Sequence, residues 1–209
     1  MPLTRRFGHA EASTIEDGKA MTNQANNIGT RQGGRWTLIF WGLAAFLLLL
    51  PFIAMRLSAE GVNWTAADFI FMAVLLGVIG LGLELAARKG DRAYNLATGL
   101  ALAACFFLIV LTGAVGIIGD EGEIANLLFG AVILVALLGA VAARFRPAGM
   151  ARAMAAAALV QLLVPAVALI LRPGAAAAIW SPEVTLSTLV FAAIWLGSAR
   201  LYRKAAAAL

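Results

Sequence analysis

Few residues in this chain are of a type that does chemistry, and they fall into three groups. Glu84, in G-L-E-L-A-A-R (82–88), is the one acid well inside an apolar run. An ionisable group at that depth is costly and commonly serves a proton relay or an ion path. The plainer reading pairs it with Arg88 one turn on, both side chains reaching back toward water. Gln161 and Pro165 form the second group, near the middle of the fifth apolar run. Pro165 has no N–H for the Gln161 carbonyl, and its ring crowds that carbonyl. A carboxamide and a freed carbonyl then meet at mid-membrane depth, where interrupted helices build transport sites. Against this stands a simple proline kink, with Gln161 bonded to a neighbouring helix. The third group is acidic: Asp68, Asp120, Glu121 and Glu123 stand between apolar runs on one side. Oxygen ligands of this kind suit calcium or magnesium. Carboxylates also stabilise helix N-termini, and most of these stand at one.

Other chemistry finds little support. Cys105 is the single cysteine and His9 the single histidine, so neither a disulfide nor a thiolate metal cluster is expected. G-V-I-G-L-G (77–82) lies within an apolar run and not after a strand, so it is no dinucleotide fingerprint. Paired histidines and nucleophile-elbow patterns are missing from the sequence. No catalytic residue, metal or cofactor is expected. A lipid-directed membrane enzyme would need Glu84, Arg88 and Tyr94 to converge at one interface.

The elements that carry these residues follow from composition. The chain is 62% hydrophobic and 13% charged, with mean hydropathy +0.91. Soluble domains are about 45–50% apolar and about 25% charged. A chain this apolar needs lipid as its solvent. Its basic balance, 16 Lys+Arg against 11 Asp+Glu, belongs to membrane topology and not to nucleic acid, because the cations fall between apolar runs. Spanning about 30 Å of hydrocarbon takes roughly 20 apolar residues in a helix. Six stretches qualify: Trp36–Met55, Ala67–Ala87, Leu96–Ile118, Ile124–Ala143, Ala151–Leu171 and Val184–Leu201. The expected fold is an all-α, six-helix membrane bundle over residues 36–204, with a disordered basic tail at 1–35 and a short tail at 205–209. Glu16-Asp17 resembles an encoded ribosome-binding sequence, so Met21 is a second candidate start.

Threading the chain six times puts fourteen basic residues on one side and only Arg56 and Arg172 on the other. The positive-inside rule then places both termini in the cytoplasm. Helix starts agree: Thr65 with Asp68, and Asp120 with Glu123, read as capping boxes, and Ser181-Pro182-Glu183 as an N-cap, first-turn proline and first-turn acid. Three runs end alike, L-G-L-E-L-A-A-R (81–88), L-G-A-V-A-A-R (138–144) and L-G-S-A-R (196–200). Such small residues permit close approach between helices.

The segments D-F-I-F (68–71), G-L-E-L-A-A-R (82–88), A-V-G-I-I-G-D-E (114–121), A-N-L-L-F (125–129) and A-R-F-R-P-A-G-M-A-R-A (143–153) resemble a group of uncharacterised bacterial six-helix inner-membrane proteins. That group has an Asn-Pro pair before Ala-Asn, where this chain has Glu123-Ile124. The resemblance implies architecture and an inner-membrane location, and brings no activity. Two functional expectations stand: a small transporter or channel component moving an ion or small solute, or a non-transporting assembly subunit. The expected partners are the lipid bilayer, further copies of the chain or other membrane helices, and no nucleic acid.

Overall fold

The computed structural model describes residues 38–57, 63–89, 91–114, 116–118, 124–171 and 176–208. Of these, 89% are helical and none lies in a strand. The helices are α1 (Leu38–Arg56), α2 (Ala66–Ala87), α3 (Arg92–Ala114), α4 (Leu128–Ala142), α5 (Pro147–Leu171), the short α6 (Ala176–Ile179) and α7 (Pro182–Ala207). A 3-10 turn, Ile124–Leu127, leads into α4. Six of the helices are long and apolar enough to cross a membrane: α1, α2, α3, α4 with its lead-in from Ala125, α5 and α7. The expected all-α membrane architecture is therefore present.

The helix ends differ from the apolar runs for physical reasons. Hydropathy marks what lipid covers, whereas backbone bonding continues into the polar boundary. So α3 starts at Arg92 and not at Leu96, α5 at Pro147 and not at Ala151, and α7 runs to Ala207 and not to Leu201. At 26 residues α7 is about 39 Å long, and its end carries Arg203 and Lys204. The third helix stops at Ala114, before Ile118. Gly116 takes φ 77°, and its N–H bonds the Leu111 carbonyl five residues back at 2.9 Å. Asn126 then holds the turn: its Oδ1 accepts from the N–H groups of Ile117 and Ile118, each at 2.9 Å.

Two expected caps form. The Thr65 N–H donates to Asp68 Oδ2 at 2.7 Å while the Asp68 N–H donates to Thr65 Oγ1 at 3.4 Å. Ser181 Oγ accepts from the Val184 N–H at 3.3 Å, with Pro182 opening the helix. Asp91 caps α3 as well, its Oδ1 accepting from the Ala93 N–H at 3.0 Å. Asp120, Glu121 and Glu123, and with them the second capping box, lie outside the described residues; so does the tail 1–35.

The chain forms two compact units that divide within α2, Met1–Leu76 and Gly77–Leu209. In the first, the Arg56 guanidinium lies 5.3 Å from the Phe52 ring centroid, and Trp64 meets Phe69 edge to face at 5.2 Å. In the second, α7 packs along both α3 and α5, and α5 also packs along α4. Buried positions recur every three or four residues: Tyr94, Ala97, Ala101, Ala104 and Leu108 on α3, and Val184, Thr188, Phe191, Trp195, Ser198 and Tyr202 on α7. Alanines dominate the interior, while Leu134, Leu138, Leu159, Leu163 and Ile170 point outward. That is the arrangement lipid favours, since tails solvate leucine as well as another helix does.

The three similar run endings have a packing cause. A Cβ added at Gly82 would meet Leu102 Cδ1 at 2.9 Å, one at Gly197 would meet Leu100 Cδ2 at 3.2 Å, and one at Gly139 would meet Ala153 Cβ at 2.6 Å. Gly77, Gly113 and Gly130 would meet nothing within 4 Å. The glycine of each ending is thus where that helix touches its neighbour. Gly139→Val is expected to destabilise the protein by about 1–3 kcal/mol through overpacking against α5. Gly130→Ala, on the same helix but facing open space, should be neutral or add about 0.5–1 kcal/mol. Thermal unfolding in detergent of the two variants side by side checks the contrast.

Candidate functional site

At one end of the second unit, four chain segments converge on a polar cluster. Lys89 comes from the turn after α2, Tyr94 and Thr98 from α3, Phe145 from the turn between α4 and α5, and Tyr202 from α7. Tyr94 and Thr98 are four apart and so share a helix face. The Lys89 ammonium donates to the Phe145 carbonyl at 2.6 Å and to Tyr94 Oη at 2.9 Å. It also lies 4.2 Å from the Tyr94 ring centroid, a cation–π contact. Tyr94 Oη itself donates to the Phe145 carbonyl at 3.0 Å. One main-chain oxygen therefore accepts two hydrogen bonds.

The second tyrosine extends the cluster inward. Tyr94 and Tyr202 are the two tyrosines of the chain, and their rings meet edge to face at 5.1 Å. Thr98 Oγ1 bonds both the Tyr94 carbonyl at 3.0 Å and Tyr202 Oη at 2.8 Å. A hydroxyl has a single proton. Thr98 spends it on the carbonyl, so Tyr202 is the donor to Thr98. One turn away, Ser198 Oγ donates across the same interface to the Ala97 carbonyl at 2.8 Å.

The Phe145 carbonyl is aimed by an unusual turn. The Phe145 N–H bonds the Ala140 carbonyl and the Arg144 N–H bonds the Val141 carbonyl, the paired bonds of a Schellman helix end. Glycine normally fills its left-handed position. Here Arg144 has φ 50° and Phe145 φ 56°, at about 1–2 kcal/mol for each residue. Gly149 lets the chain turn straight into α5, since a Cβ there would meet Ala143 Cβ at 2.5 Å.

Beside the cluster is a cavity of about 340 Å³. Lys89, Tyr94, Thr98 and Tyr202 stand along its polar end, and Ala101, Cys105, Ala136, Ala140, Met154 and Trp195 line its apolar depth. It can hold an apolar body with a polar end. Cys105 is a half-buried wall residue. Glu84 is half-buried, Arg88 exposed and Gln161 and Pro165 buried; none of these four lines the cavity. Tyr94 bonds Lys89, from the turn that follows α2. Asp68 belongs to the first unit, bonded to Thr65.

No family model, curated protein or solved structure matches this chain. The site must therefore be read from its own geometry.

Gln161 lies wholly inside α5, and neither its Nε2 nor its Oε1 has a partner among the described residues; the same holds for Thr188 Oγ1 and Trp195 Nε1 on α7. Met150 and Met154 near the start of α5 line the same cavity as Tyr202 near the end of α7, so the two helices run antiparallel. Counted from their facing ends at Leu171 and Pro182, Gln161 lies about 15 Å deep, between Thr188 at about 9 Å and Trp195 at about 20 Å. Sequence reasoning singled out Gln161, which the structure places in the buried interior. It missed Lys89, Thr98, Trp195 and Tyr202, for which the one available signal was that a chain with eleven phenylalanines and five tryptophans has just two tyrosines. Arg144→Gly is expected to raise stability by about 1–2 kcal/mol by relieving the left-handed strain, while Arg144→Ala brings no such gain. Chemical or thermal unfolding in detergent measures both.

Proposed function

We propose that this polytopic membrane protein is a small transporter or channel component that moves a small polar solute or ion along the α5–α7 interior. The observation that carries this reading is Gln161. A buried polar group left unpaired costs about 1–3 kcal/mol, and in lipid there is no water to relieve it. Both amide atoms of Gln161 and the Thr188 hydroxyl are in that position. Pro165, one turn along and also buried, withholds an N–H from the Gln161 carbonyl. Donors and acceptors concentrated at mid-depth in two tightly packed helices fit a passing ligand better than they fit packing. In reconstituted liposomes, Gln161→Leu should lower flux of the transported species at least tenfold while thermal stability holds or rises. Wild-type protein that moves nothing across a broad ion and solute panel would overturn the proposal.

The proposed orientation puts both termini on the cytoplasmic side of a bacterial inner membrane. Its support is the charge pattern. The Lys89–Phe145 bond and the Tyr94–Tyr202 contact join the turn holding Arg88, Lys89 and Arg92, the turn holding Arg144 and Arg146, and the α7 end holding Arg200, Arg203 and Lys204. These clusters share one end of the second unit, as the positive-inside rule requires of an N-in, C-in chain. Reporter fusions after Lys89 and after Phe145 should both read cytoplasmic; a periplasmic signal from either overturns the orientation.

A second reading, a non-transporting assembly subunit or an oligomer, draws on the open glycine positions Gly77, Gly113 and Gly130. Small residues of this kind let another helix approach closely.

A further inference from the structure

We infer that the cavity at the basic end of the second unit binds one anionic phospholipid, its phosphate on Lys89 and one acyl chain in the apolar depth. This cavity lies at the end of the α5–α7 pair away from Gln161, which does not line it, and the inference does not rest on the transport reading. Two observations lead there.

The first is charge. The Lys89 ammonium stands at the polar end of the cavity and is held by a phenol, a carbonyl and a ring face, all neutral. An ammonium has three N–H donors, and the two hydrogen bonds it makes leave one N–H for a ligand. The strained Arg144–Phe145 turn fixes the carbonyl that holds it in place. A phosphate oxygen supplies a negative charge that none of these described partners carries.

The second is access and size. Leu85, Leu137 and Phe145 line the cavity yet are 60%, 54% and 51% exposed. Its mouth therefore opens on the leucine-rich surface that meets lipid tails, so the occupant arrives from the bilayer. Against about 30 Å³ for a water-sized group, a volume of about 340 Å³ takes roughly eleven such groups, one acyl chain in part and no more.

The test is native mass spectrometry of the purified full-length chain in mild detergent, titrated with phosphatidylglycerol, phosphatidylcholine or oleate. Wild-type protein should retain one phosphatidylglycerol in preference to either alternative. Lys89→Met should weaken that binding about fivefold, the effect of one cation near a lipid surface, while Lys89→Arg restores it. Ala136→Phe, which fills the cavity, should abolish it, and Arg203→Gln at the same end should leave it unchanged. Circular dichroism melts accompany each variant, so a loss counts only where the fold persists; should Ala136→Phe unfold, the Lys89→Met and Lys89→Arg pair decides. Equal retention by Lys89→Met and wild type overturns the proposal. Equal loss in Lys89→Met and Arg203→Gln, or stronger retention of oleate than of phosphatidylglycerol, overturns it too.

Discussion

Lipid supplies no hydrophobic force between one helix and the next. Whatever holds this bundle together must come from contact at short range, and contact at short range requires small side chains. That constraint explains an interior built on alanine and an exterior built on leucine. It explains why Gly139 faces Ala153 with no room for a methyl group between them. It also makes α7 the keystone of the second unit, since this helix packs on both α3 and α5. Its buried face carries the bulk of Phe191, Trp195 and Tyr202, with the Tyr202 ring edge to face on Tyr94.

The same constraint sets what could be read in advance. Six apolar stretches, the Thr65 and Ser181 caps and the turn before Asn126 follow from residue types a few positions apart. Their faces do not. α4 is apolar all round, so hydropathy says nothing about which side of Phe129, Val132, Ala136 and Ala140 is inside; residue size does. The repeated Leu-Gly endings mark close helix contacts. Lys89 was legible only as a topological charge, because its partners are 5 and 56 residues away. The left-handed pair Arg144-Phe145 carries no glycine to announce it.

Polar groups in the second unit divide into two kinds. At the basic end, Lys89, Tyr94, Thr98, Tyr202 and Ser198 each have a partner, and together they tie α3 and α7 to both flanking turns. Among the described residues, Gln161, Thr188 and Trp195 deeper in have buried polar atoms without a partner, as does Asn95 through its Oδ1 at the basic end. Interhelical hydrogen bonds in membranes are worth about 0.6 kcal/mol on average, so the first kind adds modest stability and firm geometry. The second kind is a cost that packing alone leaves uncompensated.

The junction of the two hairpins on the Phe145 carbonyl has an evolutionary corollary. A latch made from side chains can be lost by one substitution at either partner. Here the acceptor is a main-chain atom, present whatever residue occupies position 145, provided the backbone still turns left-handed there. Drift in side-chain identity at that position is consequently buffered, and the vulnerable half of the latch is its two donors, Lys89 and Tyr94.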